Sequence, residues 1–320
     1  MTVVIFAQEA DAPVDAVVRE LTRRDAPVFR ADTSWFPNRL VLDAELIGGT
    51  WSGWLRTSHR SVALQEIRSI WYRDPSAFQF PNELTDVERA YAHREARLGF
   101  GGVLAALDGV RWVNHPNRAA DAVYKPLQLA IAAASGLSVL PTLVTNSPEA
   151  VHRFAGGRPE QVSCKSFGPN TITEGGDLKV AFNRPLTDGD LADLSGVAST
   201  ATQLQDYVCD KVYEARVVVI GWEMFAITMH TDAPRADIRQ DFSTCRYQWI
   251  PTPPHVARGL HRYMDRLGLA YAAFDFVIDT SHHWWFLESN SAGQYRWLEV
   301  PTEAPMTATF ADLLATGRNR

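Results

Sequence analysis
The chain opens on TVVIFA, an unbroken apolar run, and passes into DAPVDAVVRELTRRD, where apolar residues recur at the spacing of one helix face. The first predicts a buried strand. The second predicts an amphipathic helix with Asp11 as N-cap and Pro13 in its first turn, where a missing N–H is harmless. PVFRAD predicts another strand, and RLVLDAELIGGTWSGWLRT alternates around a Gly-Gly pair as a hairpin does. IRSIWYR, ended by Asp74-Pro75, adds a strand and closes a small β-rich α/β unit. A helical pattern then runs from about Thr85 to Leu107. The Gly-Phe-Gly-Gly at 99–102 lies inside that pattern with no strand before it, so it reads as helix packing and not as a phosphate loop.

Beyond RWVNHPNR the pattern changes. Ala119 to Ser135 predicts one Ala-rich helix stopped by Gly136, SVLPTLVT one strand, and SPEAVHRFAGG a short helix capped by Ser147. QVSCKSF predicts another strand. The Gly- and Thr-rich FGPNTITEGGDLKVAF predicts a flexible hairpin or loop. ATQLQDYVCDKVYEARVVVIGWEMFAITMH carries two strong strands across a Gly-Trp-Glu turn, Pro251 to Leu267 a helix, and FDFVIDTSHHWWFLESN two closing strands. No internal repeat or heptad array is present. Helices and antiparallel hairpins in successive blocks predict an α+β protein whose lobes surround a cleft. The expected divisions are 1–115, 116–208 and 209–320.

Composition narrows the class. Over 320 residues, 46% hydrophobic and 21% charged describe an ordinary globular protein with room for two or three domains. A net charge of −6 argues against a general nucleic-acid binder while leaving room for a local basic pocket. The start reads as a first strand and not as a signal peptide, and no run is long enough for a membrane span. Three scattered cysteines form neither a disulfide framework nor a zinc motif, so a cytoplasmic location is expected.

The closing strands pose the chemical question. Asp275, Glu288 and Asn290 stand among Phe, Val, Ile, Trp and Leu, and buried carboxylates are costly unless a positive group meets them. Glu288 and Asn290 are two apart and share a face, with Asp275 able to stand beside them. Three oxygen donors suit Mg²⁺; alternatively, the polar residues face water. Lys165, in the apolar VSCKSF, either snorkels or meets an anion. Arg216, inside a Val/Ile strand, has the planar fork that suits phosphate, and Arg239 in RADIRQDF is a second candidate or a loop residue. Lys125 alone reads as a solvated helix charge. Gln203, Gln205 and Asp206 before Tyr207-Val208 make either an adenine-binding connector or an ordinary linker. No GxxxxGK[ST], GxSxG or HExxH occurs, and adjacent His282-His283 face opposite ways and make no metal clamp.

In this order the residues resemble an ATP-grasp ligase. IWYRDP, REARLGFGGVLAAL, WVNHPNRAADAVYKPLQLAIAAASGL, PTLVTNSPE, EARVVVIG, RADIR and FLESNSAGQYRWLE narrow the resemblance to the ATP-grasp peptide maturases of the microviridin-like graspetides, actinobacterial branch. NSAGQ departs from the Asn-Pro-x-Gly-Gln of many relatives, with Ser291 in place of proline. The resemblance implies an ATP-grasp fold with an N-terminal α/β domain and two lobes around a nucleotide cleft. It implies ATP bound by Lys125, Lys165, Gln203, Gln205, Asp206, Tyr207, Val208 and Lys211. It also implies Mg²⁺ on Asp275, Glu288 and Asn290, with Arg216 and Arg239 holding the transferred phosphoryl group. The substrate implied is a ribosomal precursor peptide with leader and core, cyclised through ω-ester or ω-amide bonds, and the protein a homodimer. Arg73, Arg94 and Arg97 are possible basic contacts for an acidic core, and the leader groove is sought in the first domain or on the 216–230 hairpin. The rival readings are an ATP-grasp ligase for free amino acids and a non-catalytic nucleotide-binding regulator.

Overall fold
β1 (Thr2–Ala7) pairs in parallel with β2 (Val28–Ala31) on one side and β6 (Ile67–Arg73) on the other, and β6 pairs in parallel with β7 (Arg111–Val113). A central strand of a parallel sheet is covered on both faces, which is why TVVIFA does not alternate. One cover is α1 (Ala12–Arg23), whose N-cap Asp11 accepts from the Val14 N–H and whose Val14, Val17 and Leu21 are buried. The other is α2 (Asp86–Ala105), started by a Thr85–Glu88 capping box and packed through Phe100 and Leu104. The predicted hairpin is β3 (Val41–Ile47) and β4 (Thr50–Arg56), extended by β5 (Ser61–Ala63). Gly48 and Gly49 take φ of 59° and 85° at its turn, a region where a Cβ is penalised. The structure, a computed structural model, describes residues 1–168, 171–180, 182–232 and 245–317.

The second large element is a six-stranded sheet. Its order is β16 (Arg246–Ile250), β15 (Glu223–His230), β14 (Lys211–Ile220), β17 (Tyr271–Asp279), β18 (Trp284–Asn290) and β8 (Ser138–Val139). All pairings are antiparallel except β18 with β8. One face carries Val217, Val219, Phe274, Phe276 and Phe286 against α4 (Lys125–Ala134) and α8 (Pro254–Leu267). The opposite face carries Val218, Ile220, Tyr271 and Ala273 into a core shared with the first sheet, α1 and α10 (Met306–Thr316). One apolar core thus fuses the first unit to the six-stranded sheet. The 216–230 hairpin lies inside this sheet, its apolar residues divided between the two cores and Trp222 exposed at its turn.

A smaller lobe completes the cleft. β10 (Val162–Lys165), β13 (Thr202–Asp206) and β9 (Thr142–Thr145) form an antiparallel sheet under α5 (Pro148–Ala155), around a small core of Val151, Val162 and Leu204. The hairpin β11 (Thr171–Glu174) and β12 (Asp177–Val180) stands exposed beside it.

Two expectations need correcting, and proline is the reason for both. The single helix expected from Ala119 to Ser135 is α3 (Pro116–Asp121) followed by α4, with Tyr124 extended between them. In a continuous helix Pro126 would leave the Ala122 carbonyl without a donor; in the first turn of α4 it does no harm. The single strand expected at SVLPTLVT is split at Pro141, so that β8 and β9 serve different sheets. By packing, residues 125–139 go with the six-stranded sheet and not with the small lobe. The 99–102 glycines lie in α2 as expected, but a Cβ at Gly99, Gly101 or Gly102 would meet nothing within 4 Å, so close packing does not account for them.

Candidate active site
Side chains alternate across β14 and β17. The face that buries Val218, Ile220, Tyr271 and Ala273 therefore continues, beyond the covered half, through Arg216 and Asp275. Register places Glu288 opposite Asp275 and Asn290 opposite Ala273, on the same face. One half of this face is apolar and covered; the other half is charged and forms the floor of the cleft.

The charged half is closely paired. Arg216 donates from Nε and Nη2 to the two oxygens of Asp275, both at 2.7 Å, and its guanidinium lies 5.5 Å from the Trp297 ring centroid. Burial works against the arginine charge, but the Asp275 carboxylate outweighs it and raises the Arg216 pKa. Lys125, the first residue of α4, places Nζ 2.8 Å from Glu288 Oε2 and donates to the Ser166 carbonyl at 2.8 Å, so one ammonium ties the two lobes together. Burial alone would raise the Glu288 pKa. Lys125, Lys165 and Arg216 together outweigh burial and hold the carboxyl below its ordinary range. Lys165 arrives from the small lobe, at the end of β10, opposite Gln203 in register.

Gln203 and Gln205 are two apart on β13 and share the face that carries Lys165 and Ser163. Both are buried, and their Oε1 atoms find no hydrogen-bond partner among the described residues. A buried acceptor left unpaired costs about 1–3 kcal/mol, so these two oxygens mark where a ligand donor would be welcome. Asp206 is instead engaged with Arg158 at 3.1 Å. The Tyr207 N–H donates to the Gln161 carbonyl, and Val208 follows half-buried. Lys211 reaches Glu214 at 2.7 Å. Arg239 lies outside the described residues.

Asp275, Glu288 and Asn290 offer oxygen to one patch of the cleft, with Asn290 Nδ2 3.5 Å from Asp275 Oδ2. Among the described residues no cluster of three His, Cys, Asp or Glu side chains forms. A cation here would therefore be held by two carboxylates and an amide, with ligand oxygens completing its shell, a donor set that fits Mg²⁺. His283 packs its ring 4.4 Å from Trp285, and Asp279 accepts from the Ser281 and His283 N–H groups and the Trp285 indole. That turn is structural, as the sequence suggested.

Several residues that position the site carried no separate signal. Asn114, just after β7, donates to the Tyr271 and Ser291 carbonyls at 2.7 Å and accepts from the Ala270 and Tyr271 N–H groups. It fixes the start of β17 and the loop beyond Asn290. Gln128 of α4 brackets Ser289 on β18, donating to its carbonyl and accepting from its N–H. Arg73 is buried and donates to the Ala292 carbonyl at 2.6 Å, with Asp11 3.5 Å away; it is an interdomain strut and not a contact for an acidic peptide. Arg94 and Arg97 are exposed on α2. Gly293 is required by close approach: a Cβ there would fall 2.8 Å from the Ala273 Cβ.

Comparison with known proteins agrees with this geometry. Residues 2–120 match the family model of the MvdD pre-ATP grasp domain. The macrocyclase MdnC of Microcystis aeruginosa MRC, solved with its precursor peptide MdnA, superposes with a TM-score of 0.83 at 26% identity, covering 99% of this chain and 100% of that one. A Chryseobacterium gregarium RiPP-associated ATP-grasp ligase, solved with ADP and a leader and core peptide, gives 0.88 at 24% identity over 99% and 98%. The ATP-grasp ligase PsnB, complexed with a precursor variant, Mg and ADP, gives 0.77 at 21% over 99% and 98%. No curated protein matches the chain. The chain thus has the ATP-grasp fold of these solved structures, and its first domain matches the MvdD pre-ATP grasp model.

Proposed function
We propose that the chain is an ATP-dependent peptide macrocyclase, joining Asp or Glu side chains of a precursor peptide to Thr or Ser hydroxyls or Lys amines of the same peptide. The observation that carries this reading is the interlobe cluster of Lys125, Lys165, Arg216, Asp275 and Glu288 in a chain that superposes end to end on a peptide macrocyclase. MdnC and the Chryseobacterium ligase were solved with peptides, and PsnB with Mg and ADP.

A substrate carboxylate attacks the γ-phosphorus of ATP, ADP leaves, and an acyl phosphate remains on the peptide. A hydroxyl or amine of the same peptide then adds to that carbonyl, loses its proton, and expels phosphate. Each bond removes one water from the peptide. The chain needs no covalent nucleophile; positioning and charge neutralisation are its task. Lys125 and Lys165 take triphosphate oxygens, and Gln203 and Gln205 with the Asp206–Val208 connector and Lys211 take the adenine end. Arg216 holds the transferred group, and Arg239 is assigned the same role. Asp275, Glu288 and Asn290 hold Mg²⁺, which when bound supplies charge neutralisation at the phosphates. The exposed 171–180 hairpin is suited to close over the cleft and exclude water, whose attack on the acyl phosphate would waste it.

The small lobe has only a small core of its own, whereas the other two units share one, so closure is motion of that lobe with Lys165. The proposed division keeps 1–115 and 209–320 and transfers residues 125–139 to the last unit. No described helix is long and apolar enough to cross a membrane. A cytoplasmic homodimer completes the reading, and light scattering tests its oligomeric state. The deciding experiment is mass spectrometry of a synthetic acidic, Thr-rich precursor peptide incubated with protein, ATP and Mg²⁺. ATP-dependent loss of one water per bond supports the reading. No mass change, with ADP released only on adding free amino acids, overturns it.

A further inference from the structure
The first sheet has a crevice of its own. α1 leaves β1 on the face toward the shared core, whereas the chain leaving β6 reaches α2 on the opposite face. Neighbouring parallel strands whose connections part in this way open a gap at their carboxyl ends, the place where ligands bind in open α/β sheets. A cavity of about 380 Å³ lies there. Its walls come from the residues that follow three parallel strands: Gln8 after β1, Ser34, Trp35 and Asn38 after β2, and Ser76 and Gln79 after β6. Its volume falls within the range of small-ligand sites, about 300–1,000 Å³.

The charged groups of this lining already have partners. Glu9 and Arg39 also border the crevice, but they pair with each other at 3.0 Å, and Glu9 accepts from the Trp35 indole at 2.7 Å. Asp32 is buried, and its carboxylate is spent on the Ser34 and Ser76 N–H groups and the Ser76 hydroxyl. Beside this exposed ion pair the lining is amide and hydroxyl, with the Trp35 indole, one face of which carries the Arg39 guanidinium 4.5 Å from its centroid. A nucleotide phosphate is disfavoured despite the topology. No glycine occurs between Gln8 and Pro13, and the Asp11 carboxylate already occupies the N-terminus of α1. β6 links the crevice to the cleft. Arg73, the last residue of β6 and three before Ser76, holds the Ala292 carbonyl in the loop that follows Asn290.

We propose that this crevice is a docking site for an uncharged, hydroxyl- and amide-bearing stretch of the peptide substrate, held beside the cleft where the same peptide is activated. The proposal rests on the peptide-macrocyclase reading for the identity of its occupant. The Trp35 indole, held by Glu9 and Arg39, forms the apolar wall against the peptide, and Gln8, Asn38 and Gln79 exchange hydrogen bonds with side-chain hydroxyls and amides.

The test uses the whole chain labelled with 5-fluorotryptophan, with the Trp35 signal assigned by Trp35→Phe. The probes are acetyl-Ser-Thr-Asn-Thr-Gly-amide and its all-lysine counterpart. A saturable shift of the Trp35 signal with the first and not the second is expected, as is loss of that shift in Asn38→Trp and Gln79→Trp, which fill the crevice from two sides. With a precursor that is cyclised, both fillings raise KM for the peptide at least tenfold and leave kcat and KM for ATP unchanged. A Trp35 signal indifferent to the first probe, or equal response to the lysine peptide, overturns the proposal. Unchanged peptide KM in both filled variants overturns it while leaving the macrocyclase reading intact. A specific Trp35 shift without any ATP-dependent mass loss supports the crevice and removes the macrocyclase reading.

Discussion

Glu288→Gln separates the folding role of the cleft charges from their chemical role. The side chain keeps its size and an oxygen able to accept from Lys125, and Lys125 keeps the Ser166 carbonyl as a second acceptor. Both partners are partly exposed, at 31% and 20%, so the lost ionic part of this hydrogen bond amounts to about 1–2 kcal/mol. That predicts a melting temperature lowered by no more than about 5 °C, with the circular dichroism spectrum unchanged. On the proposed assignment the chemical loss is far larger, because the charge removed would face the phosphates: kcat for ADP release falls at least about 10²-fold at saturating Mg²⁺. The pH dependence is a further check. The folded Glu288 pKa lies below its ordinary 4.5, so its contribution to stability is full above that value and disappears as pH falls through the folded pKa. The stability gap between wild type and variant, measured by urea titration, therefore closes on acidification below about 4.5. A Glu288→Gln protein that hydrolyses ATP at the wild-type rate refutes the metal assignment, and a gap that widens on acidification refutes the ion-pair account.

The remaining predictions address the frame. Arg216→Met strands the Asp275 carboxylate in a buried site and destabilises by about 3–5 kcal/mol in urea unfolding; adding Asp275→Leu restores most of that stability but none of the activity. Asn114→Leu matches the shape but removes four hydrogen bonds at the start of β17 and the loop after Asn290, so it costs at least about 3 kcal/mol in thermal unfolding. Gly259→Ala drives a Cβ into the Leu137 side chain and destabilises by about 1–3 kcal/mol, whereas Gly102→Ala, open on α2, stabilises by about 0.5–1 kcal/mol. Opposite shifts in melting temperature for this pair test the packing directly.

How much of this the sequence disclosed depends on whether a signal is local. TVVIFA, the Gly48-Gly49 turn and the Asp11 cap each fix their own neighbourhood and are found as expected. The breaks at Pro126 and Pro141 were equally local, but the apolar run across each proline masked them. The destination of residues 125–139 was not local: only packing on β18 and α8 decides which sheet they serve. The same contrast holds at the site. Glu288 and Asn290 share a face by the two-residue period alone, so the oxygen patch was readable from spacing. That Arg216 clasps Asp275, 59 positions away, was not, because pairing of β14 with β17 is set by register across the sheet. Asn114 is quieter still. A single amide in WVNHP has no pattern around it, yet its four hydrogen bonds reach residues 156 to 177 positions distant.

The pairing itself explains why cations and carboxylates of this cleft belong together. Asp275 and Glu288 stand opposite each other on adjacent strands, and burial alone would raise the Glu288 pKa. Arg216 meets Asp275 from β14 and Lys125 meets Glu288 from α4, while Lys165 adds its charge from the small lobe. The Glu288 carboxyl is therefore held below its ordinary range by groups that also suit phosphate. On the proposed assignment, an anionic nucleotide would offer the lysines and arginine new oxygens, and the carboxylates would then be left with charge to give to a cation. Exchange of partners among groups already in place demands little reorganisation, which is the condition under which a preorganised site accelerates phosphoryl transfer. A corollary is that nucleotide and Mg²⁺ bind cooperatively: Lys125→Met, which removes one of the exchanging partners, weakens ADP binding by calorimetry far more with Mg²⁺ than without it. Equal weakening under both conditions contradicts the exchange.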